Sequence, residues 1–321
     1  MFGNLCDVPG VLVGHATDRE GLTGCTVVLF EEPYAVVGVD VRGSSPGTRE
    51  TDRLGPTGTV RRTHALLLTG GSAFGLAATE GVVGFLEKGG AGLDVGVTRI
   101  PLVSAAVLFD LVVGSHAARP DYEMGYTAAA SAKSSDFAQG SVGAGTGATV
   151  GKVLGMERSM KGGLGSAAVE LDGGLVVGAL AAVNAFGGVR DPDSGKILAG
   201  PRMDDGTLGD TVELLPEAAS RMRWGEDTTL GVVATSASLS KMQAAKVAQM
   251  AHDGLARAIE PVHTTVDGDV VFAASVGGVD APTDIVGAWG ARVMQEAILR
   301  AVRSAQGVPG IPSVSEYKNG G

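Results

Sequence analysis

Aromatic side chains are scarce in this sequence: two tryptophans, four tyrosines and eight phenylalanines among 321 residues, or 4%. Apolar residues still make up 44%, so any core must be packed from Val, Leu, Ala and Met. Cysteine is nearly absent. Cys6 and Cys25 are too few for a disulfide framework or a zinc cluster; they are expected as buried free thiols, with a single bridge between them as the alternative. Positive charge is also in deficit, 25 Lys and Arg against 35 Asp and Glu, for a net charge of −10. That balance argues against nucleic acid or an anionic membrane as partner, since both require a basic footprint. No stretch of 18 residues runs without a polar interruption, so no transmembrane helix is expected. Residues 1–7 show no basic segment followed by an apolar one, which predicts no signal peptide and a cytoplasmic location.

Glycine is what the chain has in excess. Its 51 glycines are about twice the average share, dispersed through apolar segments without a fixed period. This excludes collagen and low-complexity linkers and points to close backbone packing with many tight turns. A length of 321 residues fits either two domains or one large α/β domain.

Along the chain, residues 11–13, 25–30 and 35–41 read as strands, and 42–50 as a loop punctuated by Gly and Pro. Residues 64–69 read as a buried strand ending at Gly70 and Gly71, with Ser72 as the expected cap of a helix from Ala73 to about Lys88. Such a strand-turn-helix is a common place for backbone N–H groups to meet a ligand, and equally common as plain wiring. The stretch 117–140 is polar enough to hold a helix. Two strands, 167–171 and 175–183, flank Asp172-Gly-Gly and predict a hairpin, with Asn184 where the second strand runs out. Residues 190–227 lose all periodicity and read as a mobile tether with one short helix near 216–223. Residues 238–259 form the clearest helix, capped by Ser238 or Ser240, with Leu239, Met242, Val247, Met250 and Leu255 as its core stripe. His252 on that helix reads as structural. Residues 285–306 predict a last amphipathic helix, followed by a loosely held tail, 307–321.

Two stretches carry chemistry. The glycine run at 143, 145, 147 and 151 ends at Lys152 but does not meet the G-x-G-x-x-G spacing, and no acidic residue closes a βαβ unit beyond it. It reads as a nucleotide site only weakly; the alternative is a glycine loop that brings Lys152 against another backbone. At Thr228 a long polar run gives way to an apolar strand, 230–234. Thr228 and Thr229 are in one reading simply β-branched residues that open a strand. In the other, cleavage of the Asp227–Thr228 bond gives Thr228 a free α-amine beside its own Oγ1, one residue supplying both nucleophile and base. Downstream, Asp267 and Asp269 flank Gly268 at the mouth of a strand, either as a plain Asp-Gly turn or as a paired-carboxylate site.

Several motifs in a fixed order decide between these readings: Val13-Gly-His-Ala-Thr-Asp18, Arg42-Gly-Ser-Ser-Pro-Gly-Thr-Arg-Glu50, Leu68-Thr-Gly-Gly-Ser-Ala-Phe-Gly-Leu76, Ala105-Ala-Val-Leu-Phe-Asp-Leu111, Gly143-Ala-Gly-Thr-Gly-Ala-Thr-Val-Gly-Lys152, Asp227-Thr-Thr-Leu-Gly-Val-Val-Ala-Thr235 and Asp267-Gly-Asp269. Together they resemble the DmpA-type self-processing aminopeptidase and amidase family, on the side of its nylon-oligomer endohydrolases. The resemblance implies a single αββα sandwich over 1–321, cut into an α-chain, 1–227, and a β-chain, 228–321, and assembled as a tetramer. It implies Thr228 as nucleophile, Lys152, Asn184, Asp267 and Asp269 as its catalytic companions, a small amide or short peptide as substrate, and no cofactor or metal. Two positions depart from the pattern. Asp227 stands where close relatives have asparagine, and Phe109 stands where some members carry tyrosine, so no hydroxyl role is assigned there. An acyltransferase of the ornithine acetyltransferase type, using the same nucleophile, is the second reading.

Overall fold

The computed structural model describes residues 2–218 and 227–319. Strands alternate their side chains between two faces, and here both faces of two sheets are apolar, which forces a layer onto each side of each sheet. The first sheet holds β1 (Val11–Asp18), β2 (Thr23–Phe30), β4 (Gly47–Arg49), β6 (Ala65–Thr69) and β7 (Val103–Val107), in the order β1-β2-β6-β7-β4. The second holds β3 (Ala35–Val41), β5 (Arg62–Thr63), β8 (Gly163–Leu171), β9 (Leu175–Asn184), β10 (Thr228–Ala237) and β11 (Val270–Val279), in the order β8-β9-β10-β11-β3-β5. On β2, Val28 and Phe30 face the second sheet, where Leu180, Ala182, Leu230, Val232 and Phe272 meet them. The alternate residues Val27 and Leu29 face α1 (Ala78–Lys88) and α2 (Tyr122–Ala130). On β9, Ala179, Ala181 and Val183 face α4 (Lys241–Ala258) and α5 (Thr283–Arg303). The result is the expected αββα sandwich. Among the described residues, no helix is long and apolar enough to cross a membrane.

Small residues set the spacing of the helical layer. A Cβ on Gly81 would fall 1.9 Å from the Tyr122 carbonyl oxygen, and one on Gly125 would fall 1.8 Å from that of Ala78, so α1 and α2 can pack this closely only with glycine at both crossings. The hairpin β8–β9 is antiparallel in the expected register, Leu171 opposite Leu175. Cys6 and Cys25 are buried free thiols. Ser240 caps α4 through a reciprocal box with Gln243.

Several expectations require correction. Ser72 is not a helix cap: it sits at φ +52° at the start of a 3-10 turn, Ser72–Ala77, and α1 begins only at Ala78. The backbone N–H of Gly71 donates to Asp110 Oδ1 at 2.7 Å, so an internal carboxylate takes the place a ligand anion would occupy. Within the loop 42–50, residues 47–49 pair with β7 as an edge strand. Met242 is 69% exposed and lies off the core stripe of α4. In the stretch read as a tether, Ile197–Ala199 pairs with Gly188–Arg190, and the helix is α3 (Thr211–Ala218), which contains Pro216 in its last turn; residues 219–226 lie outside the described residues. The tail is held by α6 (Val314–Asn319), by buried Ser313 and Val314, and by the Pro312 carbonyl, which accepts the Lys161 N–H at 3.0 Å.

Candidate active site

Three strand ends meet at one edge of the second sheet. β9 ends at Asn184, β10 begins at Thr228, and the two residues are register partners. β11 runs parallel to β10, so the turn before it, 267–269, comes level with Asp227 and Thr228; Asp227 and Asp267 form an isolated parallel bridge. Period-two alternation from Leu180 and Leu230, which face the first sheet, puts Asn184 and Thr228 on that same inner side. The glycine loop supplies the fourth side. Gly151 N–H donates to Gly187 O and Lys152 N–H to Phe186 O, both at 3.0 Å, seating Lys152 against the chain that follows β9.

The loop is filled by protein. Lys161 is fully buried, and its ammonium donates to the carbonyls of Thr146 and Ala148, each at 2.7 Å. Burial pushes its pKa down to about 7, with Asp110 opposing the shift. A Cβ on Gly145 would fall 2.3 Å from the Leu164 nitrogen and one on Gly151 would fall 2.4 Å from the Gly200 carbonyl carbon. Close backbone approach explains these two glycines.

Lys152, Asn184, Asp227, Thr228, Asp267 and Asp269 are thus brought together from four distant parts of the chain. Lys152 Nζ donates to Asp227 Oδ1 at 2.6 Å, to Asn184 Oδ1 at 3.0 Å and to the Asn184 carbonyl at 3.1 Å. Asn184 Oδ1 also accepts the Thr149 N–H at 3.0 Å, while its Nδ2 donates to the Phe109 carbonyl at 2.9 Å. Phe109, which has no hydroxyl to offer, contributes through its backbone carbonyl. Thr228, only 4% exposed, turns its Oγ1 to the Asp227 carbonyl oxygen and donates to it. The same carbonyl accepts the Gly268 N–H at 2.8 Å. A Cβ on Gly268 would fall 2.8 Å from Thr228 Oγ1 and 2.5 Å from the Ser45 carbonyl oxygen, so only glycine lets this N–H reach the Asp227 carbonyl.

The two downstream aspartates are held from different sides. Asp267 accepts from Thr264 N–H and Oγ1 and from Phe186 N–H. Its pKa is raised to about 7, by burial first and then by repulsion from Asp269. Asp269 Oδ1 accepts the Thr229 N–H at 2.6 Å, and Oδ2 accepts from the His263 ring at 2.7 Å and its N–H at 3.2 Å. Burial raises the pKa of Asp227 while Lys152 opposes it.

Sequence reasoning missed His263, Thr149 and the Gly268 N–H. His263 stands at φ +55° with its ring edge-on to His252, centroids 4.7 Å apart. His252, read as structural, bonds the Asp40 carbonyl through Nε2 at 3.1 Å and so backs the ring that holds Asp269.

The sequence matches the model of peptidase family S58 over residues 3–314. The chain belongs to that family. Among S58-like relatives, an uncharacterized aminopeptidase of Mycobacterium tuberculosis (strain ATCC 25618 / H37Rv) is 40% identical over 343 residues, covering 97% of each chain. A 6-aminohexanoate-oligomer endohydrolase of Kocuria sp. (strain KY2) is 31% identical over 315 residues, covering 92% of this chain and 85% of the other. The L-aminopeptidase D-Ala-esterase/amidase of Ochrobactrum anthropi, a variant of the Ntn hydrolase fold, superposes with a TM-score of 0.74 at 20% identity, over 98% of this chain and 91% of that one. Membership in S58 makes the chain a hydrolase of peptide or amide bonds.

Proposed function

We propose that this S58 member is made as a precursor that cuts its own Asp227–Thr228 bond and then works as an N-terminal-threonine amidase or aminopeptidase. One observation carries the reading: Thr228 Oγ1 lies against a carbonyl that the Gly268 N–H already holds at 2.8 Å. Attack by Oγ1 on the Asp227 carbonyl carbon moves charge onto that oxygen, where a fixed backbone donor stabilises it; removing one such donor costs roughly 3–4 kcal/mol in comparable sites. Collapse breaks the C–N bond as the Thr228 nitrogen takes the proton that the hydroxyl lost, leaving a free α-amine and an ester on Oγ1; water then hydrolyses the ester, restoring the hydroxyl and releasing the carboxyl end at Asp227. Asp267, held by Thr264 and by the Phe186 N–H, fixes the turn that presents the Gly268 donor.

In the mature enzyme the Thr228 α-amine takes the proton of its own hydroxyl. Such amines have ordinary pKa values of about 7.7–8.0, and the neighbouring Lys152 ammonium disfavours a second positive charge, keeping the amine neutral. Asn184 holds Lys152 in place, and Asp269 orients the Thr228–Thr229 backbone. The substrate amide acylates Thr228, its amine leaves, and water releases the acid. The likeness to aminopeptidases and to 6-aminohexanoate-oligomer endohydrolases supports short peptides or ω-amino-acid oligomers as substrates.

Intact mass and denaturing electrophoresis test maturation. Wild type should give fragments 1–227 and 228–321, whereas Thr228→Ala should remain one chain; fragments split at the same bond in that variant overturn the assignment.

A further inference from the structure

We infer that the acyl pocket of the processed enzyme selects acyl groups bearing a carboxylate one carbon from the acyl-bearing carbon, as in aspartyl amides, and that Lys152 is the residue that selects them. The inference rests on Thr228 as the nucleophile. Self-cleavage and substrate cleavage then share one attacking atom and one carbonyl-holding donor, Thr228 Oγ1 and the Gly268 N–H. The side chain of residue 227 accordingly occupies the place a substrate's acyl side chain takes later. In the uncut chain that place is filled by the Asp227 carboxylate, buried, with Oδ1 at 2.6 Å from Lys152 Nζ.

Lys152 is itself immobilised. Asn184 accepts from its ammonium through both Oδ1, at 3.0 Å, and its backbone carbonyl, at 3.1 Å, while Asn184 is pinned by Thr149 N–H and Phe109 O. The cation therefore stays where it is when the α-chain end departs, and a substrate carboxylate that replaces Asp227 restores the charge-assisted bond. Asp267 and Asp269 lie beside this place and repel a further carboxylate, so selectivity depends on direct contact with Lys152 rather than on the net field. Reach matters for the same reason. The aspartyl length makes the contact directly, and a glutamyl group carries one methylene too many for a buried, fixed partner.

During turnover Thr228 Oγ1 attacks the acyl carbon, the C–N bond breaks, and the leaving amine takes the proton that the hydroxyl lost. Water then cleaves the ester and releases the acid with the side-chain carboxylate intact.

The test is a matched series of anilides whose acyl residue is aspartyl, asparaginyl, glutamyl, alanyl or 6-aminohexanoyl, each with its amine free or acetylated, offered to processed wild-type enzyme. Aspartyl should exceed its neutral isostere asparaginyl in kcat/KM by about 10- to 100-fold, the range expected for a hydrogen bond to a charged partner. Glutamyl should fall between them. Equal or faster turnover of the asparaginyl or alanyl anilide overturns the selectivity while leaving Thr228 as nucleophile; turnover of none of the series by processed enzyme overturns both. Acyl-enzyme mass on the β-chain separates these cases, because it reports Thr228 chemistry whichever acyl group is preferred.

Discussion

At the scale of single residues, the site is a set of charges whose energies depend on what covers them. Asp267 is the clearest case. Its carboxyl is raised above its ordinary value, to about 7, chiefly by burial. A raised carboxyl binds a proton more tightly in the native state than in the unfolded chain, so its contribution to stability is fully present below the unfolded pKa of about 3.9 and is lost as pH rises through about 7. In a Thr228→Ala background, where the chain stays intact, Asp267→Asn should remove this slope. The melting temperature of the Asn variant relative to its parent should climb between pH 5 and 8, each kcal/mol appearing as roughly 2–4 °C in a chain of this order of size; a difference that stays flat with pH would show that Asp267 ionises as freely as in the unfolded chain. His263 is a positioning residue, since it acts through Asp269. Its N–H and Nδ1 both bond Oδ2, which leaves Oδ1 aimed at Thr229. His263→Ala should lower kcat by about 10- to 100-fold with little change in KM, by loss of hydrogen bonds to a charged group. His263→Asn should recover part of it, because asparagine tolerates the left-handed backbone at this position. Loss of KM alone would contradict the role. His263 was not legible beforehand because nothing in residues 262–265 signals that the ring folds back onto a carboxylate six positions later.

At the scale of elements, legibility followed local repetition. β2, β9 and β10 announce themselves as apolar runs, and α4 carries both an apolar stripe and a Ser240–Gln243 box, so their existence was readable from the chain alone. What was not readable depends on contacts distant in sequence. Residues 47–49 become a strand because β7 offers an open edge, and the tail becomes ordered because the Lys161 backbone reaches Pro312. Met242 keeps helical spacing yet points to solvent, because Lys241 and Ala244 take the buried face at the start of α4. Motif order pointed to Thr228, Lys152, Asn184, Asp267 and Asp269, which the fold brings together, but it gave no sign of the close approach made by the turn that joins the aspartates. Gly268 lies where any side chain would press on Ser45 O and Thr228 Oγ1. Gly268→Ala should therefore slow self-cleavage by about 100-fold or more, the order expected for losing one oxyanion donor. Time-resolved electrophoresis of freshly purified protein checks this, and a variant that matures at the wild-type rate would remove the Gly268 N–H from the mechanism.

At the scale of the whole molecule, the net charge of −10 keeps single chains apart unless apolar surface draws them together. One projection supplies such surface. The hairpin of Leu93–Asp94 and Arg99–Ile100 carries Leu93, Val95, Val97 and Ile100 outward, with Val97 93% exposed. Apolar side chains gathered at an exposed tip, rather than scattered singly, mark an interaction surface. The occupant expected on this tip is another copy of the chain. Among the described residues, the hairpin contributes no side chain to the bonds around Thr228, so assembly and chemistry should separate on mutation. A Val95→Asp, Val97→Asp double variant should elute with a smaller mass than wild type by light scattering while still splitting at Asp227–Thr228. A wild type that runs at the 32.2 kDa of one chain, or a double variant whose mass is unchanged, would show that this hairpin does not hold copies together. A double variant that disassembles and also fails to mature would show instead that the strand ends around Thr228 are held in register by neighbouring copies, and that the precursor cuts itself only once assembled.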